Sequence, residues 1–381
     1  MTRRKNIIPV FVLILVSGFG CRQVYTPPNT GANVHYLVVD GIIVSGNDTT
    51  VINLSRAQPI SDSIYYFMPI PETGASVSLT GTGGDSYVLP ETSPGRYAIS
   101  QLFLNNAESY RLKIMTTDGK QYLSDSIPII QTPPIDSVSW VEQNDGVHIY
   151  VNTHDPRNNT RYYRWKYTQT WQYQATYGSE YYYQNGEVIP RDTNQYVFNC
   201  WQTNQSTSLL IGSSADLTQD LISLQPLVVI PQGSQALSLK YSIQVEQFAL
   251  SSASYSYWQL LLQNTEQQGS LFDPLPSQLP GNIHNISNPA EPVLGFVGAS
   301  TLQSERIFIN NSQLPTWGYI PLRGCALYLV PPDSFAFYFG IGYVPVTPNP
   351  PPVGGYYSAF SECVDCTLQG GTNVRPSFWP N

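Results

Sequence analysis

The sequence predicts a mainly β protein: an N-terminal immunoglobulin- or transthyretin-like β-sandwich, followed by a larger β-rich domain with one helix and long ordered loops. Three observations predict it. Tyr (27) and Pro (31) are abundant while charged residues make up only 12%, a composition that suits pleated, half-buried surfaces. Short stretches of alternating apolar and polar residues recur, divided by Gly, Pro, Asn and Asp turn signals. Convincing helical periodicity occurs in one place only.

Residues 1–20 read as an export signal. Arg3, Arg4 and Lys5 precede a short apolar run from Ile7 to Val16. Crossing a bilayer takes about 20 apolar residues, so this run is a signal and not a transmembrane helix. Gly20 directly before Cys21 has the form of a lipoprotein processing site, which makes Cys21 the expected acylated N-terminus. Each buried CH₂ of an acyl chain contributes roughly 0.8 kcal/mol to membrane anchoring. Residues 21–34 are a polar, Pro- and Gly-containing tether.

Residues 35–134 are the expected first sandwich. Strands are expected at 36–44, 49–54, 75–81, 87–89, 96–99, 110–116 and 121–127, with turns at Gly46-Asn47-Asp48, Gly83-Gly84-Asp85, Pro94-Gly95 and Asp118-Gly119. An unusually apolar insert, Ala57 to Thr73, is expected to pack on another surface. Pro133 and Pro134 stiffen the boundary.

Residues 135–381 are the expected second domain. Strands are expected at 137–141, 147–153, 161–170, 195–202, 207–211, 238–245, 306–309, 325–330 and 334–343. The Tyr-rich run from Tyr162 to Tyr183 fits a sheet face stabilised by aromatic cross-strand pairs, or an exposed stacking surface. Leu250, Ala253, Tyr257, Trp258 and Leu261 fall on one helical face, with Ser251 or Ser252 able to cap its start and Gly269 to end it. Prolines 274, 276, 280, 289 and 292 then break regular structure, so the stretch to about residue 305 reads as ordered coil. Val344 to Tyr357, with five prolines, reads as a loop.

Some chemistry can be excluded. The net charge is −8 with no basic run, which removes the clustered cations that phosphate recognition requires and so excludes nucleic acid as a partner. No nucleophile elbow, phosphate-binding Gly loop or HExxH helix occurs, so no cofactor, metal or catalytic residue is expected. Asp273 and Glu291 form a conceivable glycosidase pair, with nothing to fix their separation. His148 and His154 would share a strand face but lie too far apart for one metal. Cys200, Cys325, Cys363 and Cys366 are expected to form disulfides, as an even count in an exported protein suggests. Their pairing stays open between a short Cys363–Cys366 loop and links from each to Cys200 or Cys325.

Several segments carry a resemblance: HYLVVDGIIVSGNDTTVINLSRAQPI, YYRWKY, NCW, LFDPLPSQLPGNI, EPVLGFVGAS, ERIFI and ECVDCTLQGGTNVRPSFW. Together they resemble the DUF4249 family of Bacteroidota outer-membrane lipoproteins, over almost the whole chain after Cys21. The resemblance implies an outer-membrane, lipid-anchored protein, with the cell-surface face favoured over the periplasmic one, although no acidic residue follows Cys21 before Asp40. It implies no reaction. It implies a non-catalytic accessory or binding subunit beside a TonB-dependent β-barrel. The alternatives are a free-standing glycan- or peptide-binding lipoprotein and a subunit of an assembly or secretion complex. The expected contact surface is the loop from Phe272 to Pro292, with Phe272, Asp273, Pro274, Leu275, Pro280, Asn282 and His284 as its candidate residues.

Overall fold

The structure, a computed structural model, describes residues 35–58, 69–266, 281–319 and 324–380. The first sandwich grows from period-two alternation. Its strands are β1 (Leu37–Val44), β2 (Gly46–Arg56), β3 (Ile70–Pro71), β4 (Ser76–Gly81), β5 (Ser86–Leu89), β6 (Glu91–Ser93), β7 (Arg96–Leu102), β8 (Ser109–Met115), β9 (Gln121–Ser124) and β10 (Ile127–Ile130). β8 shows the logic: Tyr110, Leu112 and Ile114 point inward while Arg111, Lys113 and Met115 point out. One layer pairs β1, β2 and β7, and the other pairs β4, β5, β8 and β9. Leu37, Val39, Ile52, Leu79 and Leu112 fill the space between them. Most of the apolar insert, residues 59–68, lies outside the described residues.

The second sandwich comes after a pinned linker. Gln247, fully buried, donates to the Pro133 carbonyl at 2.9 Å and accepts from Trp165 Nε1 at 2.8 Å. The strands are β11 (Ile135–Gln143), β12 (Gly146–His154), β13 (Tyr162–Gln174), β14 (Tyr181–Gln184), β15 (Glu187–Pro190), β16 (Asn199–Gln205), β17 (Leu210–Ser213), β18 (Leu221–Pro231) and β19 (Lys240–Ala249). β11, β12 and β18 make one sheet. β16, β13 and β19 make the facing one, with β17 also on β13. β18 is a strand the sequence hid. Pro226 interrupts its pattern, and the pairing with β12 shifts register on either side of Tyr150 and Val151; an edge strand with bulges tolerates a residue that has no N–H to donate.

Ser251 caps α1 (Ser252–Glu266): its Oγ accepts the Ser254 N–H at 3.1 Å. Tyr257 and Trp258 bury against Leu250, Ile211 and Phe296, the apolar face expected from spacing. The expected end at Gly269 lies outside the described residues.

The stretch expected as coil after this helix is not coil throughout. It contains β20 (Ile283–Asn285) and β21 (Gly298–Ser300). β20 pairs with β9, and β21 lies parallel between β1 and β10. Segment 281–301, expected in the second domain, thus completes the first sandwich, and Ile283, Val293, Val297 and Ala299 enter its core. Gly295 makes this possible: its φ is +126°, and a Cβ there would lie 1.9 Å from the Val39 carbonyl oxygen. The chain then returns to the second sandwich as β22 (Leu302–Asn310), paired with β19.

A small C-terminal module comprises β23 (Tyr328–Val330), α2 (Phe335–Gly340), β24 (Tyr343–Pro348), β25 (Tyr356–Phe360) and α3 (Ser361–Val364). Here too expectation and structure differ. Residues 335–340 are helical where a strand was expected: Pro332 opens a tight turn with its φ already set for a helix, and Phe335 then reaches Phe339 one turn on, ring centres 5.1 Å apart. Half of the supposed proline loop is strand, its start in β24 and its end in β25, while residues 349–355 between them are irregular. Disulfides join Cys200 to Cys366 and Cys325 to Cys363; Cys363 and Cys366 do not pair with each other.

Candidate functional site

One concave region lies at the junction of the two sandwiches; another, of about 360 Å³, lies in the C-terminal module beside Cys325, Ile341 and Phe360. β1 turns Asp40, Ile42 and Val44 outward, because Leu37, Val39 and Ile43 take the core side. Ile42 and Val44 meet Phe248 and Leu302 of the second sandwich. On one side of this contact is a cavity of about 310 Å³. Its walls are mostly apolar: Ile42, Ile127, Ile130, Leu250, Phe296 and Val297, with Asp125, Ser126 and the capping Ser251 at polar points.

Beside the same contact, the outer face of the β13–β19 sheet next to Phe248 carries charged residues. Tyr163, Trp165, Tyr167, Trp171 and Tyr173 of β13 all point into the core, so the Tyr-rich run is a buried sheet face rather than an exposed stacking surface. The same alternation turns Arg164 and Lys166 outward. Arg164 lies opposite Phe248 and Lys166 opposite Glu246. The Arg164 guanidinium sits 4.0 Å from the centre of the Trp258 ring, contributed by α1. Burial lowers the pKa of Arg164 and of Lys166, against an opposing pull from Asp40. Lys166 nevertheless keeps an exposed surface. Burial also raises the pKa of Glu246, with Lys166 opposing and Asp48 adding to the rise.

The sequence-predicted residues distribute unevenly. Cys21, Phe272, Asp273, Pro274, Leu275 and Pro280 lie outside the described residues. Asn282 is buried, and its side chain is fully engaged: Nδ2 donates to the Val297 carbonyl at 2.8 Å and Oδ1 accepts the Val297 N–H at 2.9 Å. It fastens the loop instead of presenting a contact. His284 is exposed on β20, with Nε2 3.0 Å from Asp125 Oδ1 at the cavity rim. Glu291 is engaged by Lys120 Nζ at 2.9 Å and by the Tyr122 hydroxyl at 3.4 Å; Asp273, its conceivable carboxylate partner, lies outside the described residues. His148 and His154 do share the outer face of β12, each paired with its own aspartate, Asp145 and Asp136, at 2.7 Å. Among the described residues no group of three or more His, Cys, Asp or Glu is placed to hold a metal.

Sequence reasoning passed over Arg164, Lys166 and Glu246. The signal was present in YYRWKY, where cations alternate with rings, and the period-two rule puts the two cations on one face. Nothing local says that this face meets another sandwich.

Two β-sandwiches in tandem, joined by a pinned linker and enclosing a site between them, define the class of protein. The chain belongs to the DUF4249 family: the family model, described as a domain of unknown function, matches residues 24–306. No curated protein matches the chain. Among solved structures, a two-domain fibronectin type-III segment of chicken tenascin is similar at 11% identity and a TM-score of 0.16, covering 56% of this chain and 90% of that one. A putative carbohydrate binding protein from Bacteroides uniformis is similar at 12% identity and a TM-score of 0.16, covering 57% of this chain and 91% of that one.

Proposed function

We propose that this chain is a lipid-anchored, non-catalytic binding subunit of the outer membrane, held by acylated Cys21 and working beside a TonB-dependent β-barrel. The junction carries the binding part of this reading. A spacer has no need of a cavity beside incompletely compensated, partly buried charges, since buried charge is costly unless paired or used.

The C-terminal module supports the partner. Between Gly324 and Phe360 the only charged residue is Asp333. Tyr328, Phe337, Ile341 and Phe360 are exposed there, Phe337 at 64%. Ring contacts link Tyr328, Tyr343, Phe360, Tyr338 and Phe337 into one surface. Contiguous exposed apolar area of this kind marks a protein contact. Of the expected contact loop from Phe272 to Pro292, Asn282 and β20 belong to the first sandwich, while residues 272–280 lie outside the described residues.

The test is a C-terminally tagged chain purified from mild detergent extracts of native outer membranes. A stoichiometric barrel is expected to co-purify, and a Tyr328→Ser, Phe337→Ser, Phe360→Ser variant with unchanged thermal stability is expected to lose it. A wild-type chain that emerges alone even after crosslinking would rule out the barrel as a partner.

A further inference from the structure

We propose that Arg164 and Lys166 form the receptor for a carboxylate carried by a ligand with an apolar body, seated where β1 and α1 meet the outer face of the β13–β19 sheet. This deepens the reading of the junction as a binding site and rests on it.

Strand geometry brings the two cations together. Residues i and i+2 of a strand share a face about 6.6 Å apart, so β13 delivers both to the same spot. Among the described residues neither side chain has a hydrogen-bond acceptor or a carboxylate within ion-pair distance. Some other cations do have partners: Arg56 meets Glu72 at 2.6 Å, Lys120 meets Glu291 at 2.9 Å, and Arg306 donates to Ser242 and Gln244; the exposed Arg111 and Lys113 of β8 lack them among the described residues. Arg164 instead lies against Trp258. Contact with the ring offsets part of the cost of burial but leaves the fork of N–H donors free to receive an acceptor. A planar carboxylate can accept two of those donors and a third from Lys166.

The surrounding acids do not do this job. Glu246 lies opposite Lys166, and Asp40 on β1 acts on both cations, but neither acid forms an ion pair with them. Glu246 is moreover pushed toward its neutral form by burial. The neighbouring surface is apolar: Phe248, Leu302 and Ile42. Ile42 also lines the 310 Å³ cavity, which offers room of the right character for a small hydrocarbon or aromatic group. The chemical class is therefore a hydrophobic carboxylic acid, whether a small organic acid or the C-terminus of a peptide ending in an apolar residue.

The experiment uses the full mature chain with three probes: phenylacetate, its neutral analogue phenylacetamide, and Ala-Leu-Phe with a free or an amidated C-terminus. Binding is read by NMR from the Arg164 Nε–H resonance and by calorimetry. Phenylacetate or the free-acid peptide is expected to shift that resonance and to bind at least about tenfold more tightly than its amide; loss of one charge-assisted contact in Arg164→Gln or Lys166→Gln should weaken it by a similar factor. Tighter binding of the peptide than of phenylacetate assigns the peptide source, and the reverse assigns the small acid. A second measurement needs no ligand: Lys166→Met should leave the melting temperature unchanged or raise it, because Lys166 has no ion-pair partner to lose. Equal binding of acid and amide, both shifting Arg164, would overturn the carboxylate class while leaving the junction as a binding site. No shift from any probe at millimolar concentration, together with a lowered melting temperature in Lys166→Met, would overturn both and make the pair structural.

Discussion

The two sandwiches bury similar alternating strands but close themselves by different means. The first has an aliphatic core with a few tyrosines, Tyr97, Tyr110 and Tyr122. It is closed without a covalent bond: β21 slots between β1 and β10, and the Thr132 N–H donates to Thr301 Oγ1 across 169 positions. The second has a core rich in Trp and Tyr. It is closed by the Cys200–Cys366 disulfide, across 166 positions. Loops of nearly equal length carry nearly equal closure entropy. One sandwich meets that cost with hydrogen bonds, burial and a glycine, the other with a covalent link. The difference predicts where each is fragile: the first to single substitutions that displace the returning segment, the second to reduction.

The largest effect should come from Gly295→Ala. The added Cβ meets the Val39 carbonyl at a residue whose φ is +126°, so β1 and the returning segment must separate. A loss of at least about 4 kcal/mol is expected, confined to the first of two transitions in a thermal melt. Equal loss in both transitions would show the sandwiches unfolding as one unit.

Replacing Cys200 and Cys366 together by Ala should cost about 5 kcal/mol on chain-entropy grounds, now in the second transition only. The Cys325–Cys363 link spans just 38 positions, and its loss should loosen the C-terminal module while sparing both sandwich transitions. Calorimetry with and without reductant on wild type and both variants checks this.

Asn282→Ala should destabilise the first sandwich by about 2 kcal/mol, since it strands the buried Val297 N–H and carbonyl. Chemical denaturation checks it; a neutral outcome would mean the returning segment is held elsewhere.

The smallest effect lies away from both closures. Asp136 raises the pKa of His154 above its ordinary 6.5. A raised folded-state pKa means the pair stabilises the protein at pH values below the unfolded pKa, and that contribution is lost as pH rises through the folded value. The pair is exposed, so the visible change should be in the titration rather than in stability. An NMR titration should place the His154 midpoint above 6.5, falling to about 6.5 in Asp136→Asn.

Local signals made much of the first sandwich legible. β8 alternates cleanly, and turns such as Asp118-Gly119 fall where glycine supplies a positive φ. The cap at Ser251 and the buried face of α1 follow from spacing alone. Non-local partners were not legible. β21 is Gly-Ala-Ser, with no strand propensity to read, and it is a strand because β1 and β10 leave a gap that it fills. The β14–β15 hairpin was readable and missed: Asn185-Gly186, both at positive φ, is a strong hairpin signal. The charged half of the junction was legible as residue types but not as a place, because Arg164 and Asp40 belong to strands of different sandwiches.

Hydrogen exchange at β21 tests most directly the claim that segment 281–301 completes the first sandwich and so builds one wall of the junction. Amides of Ala299, Ser300 and Thr301 should exchange as slowly as those of Ile43, Val44 and Ile129, opening only when the sandwich unfolds. Exchange as fast as that of the Asp118-Gly119 turn, while β1 and β10 stay protected, would show the segment to be a surface loop and remove the wall on which the junction depends.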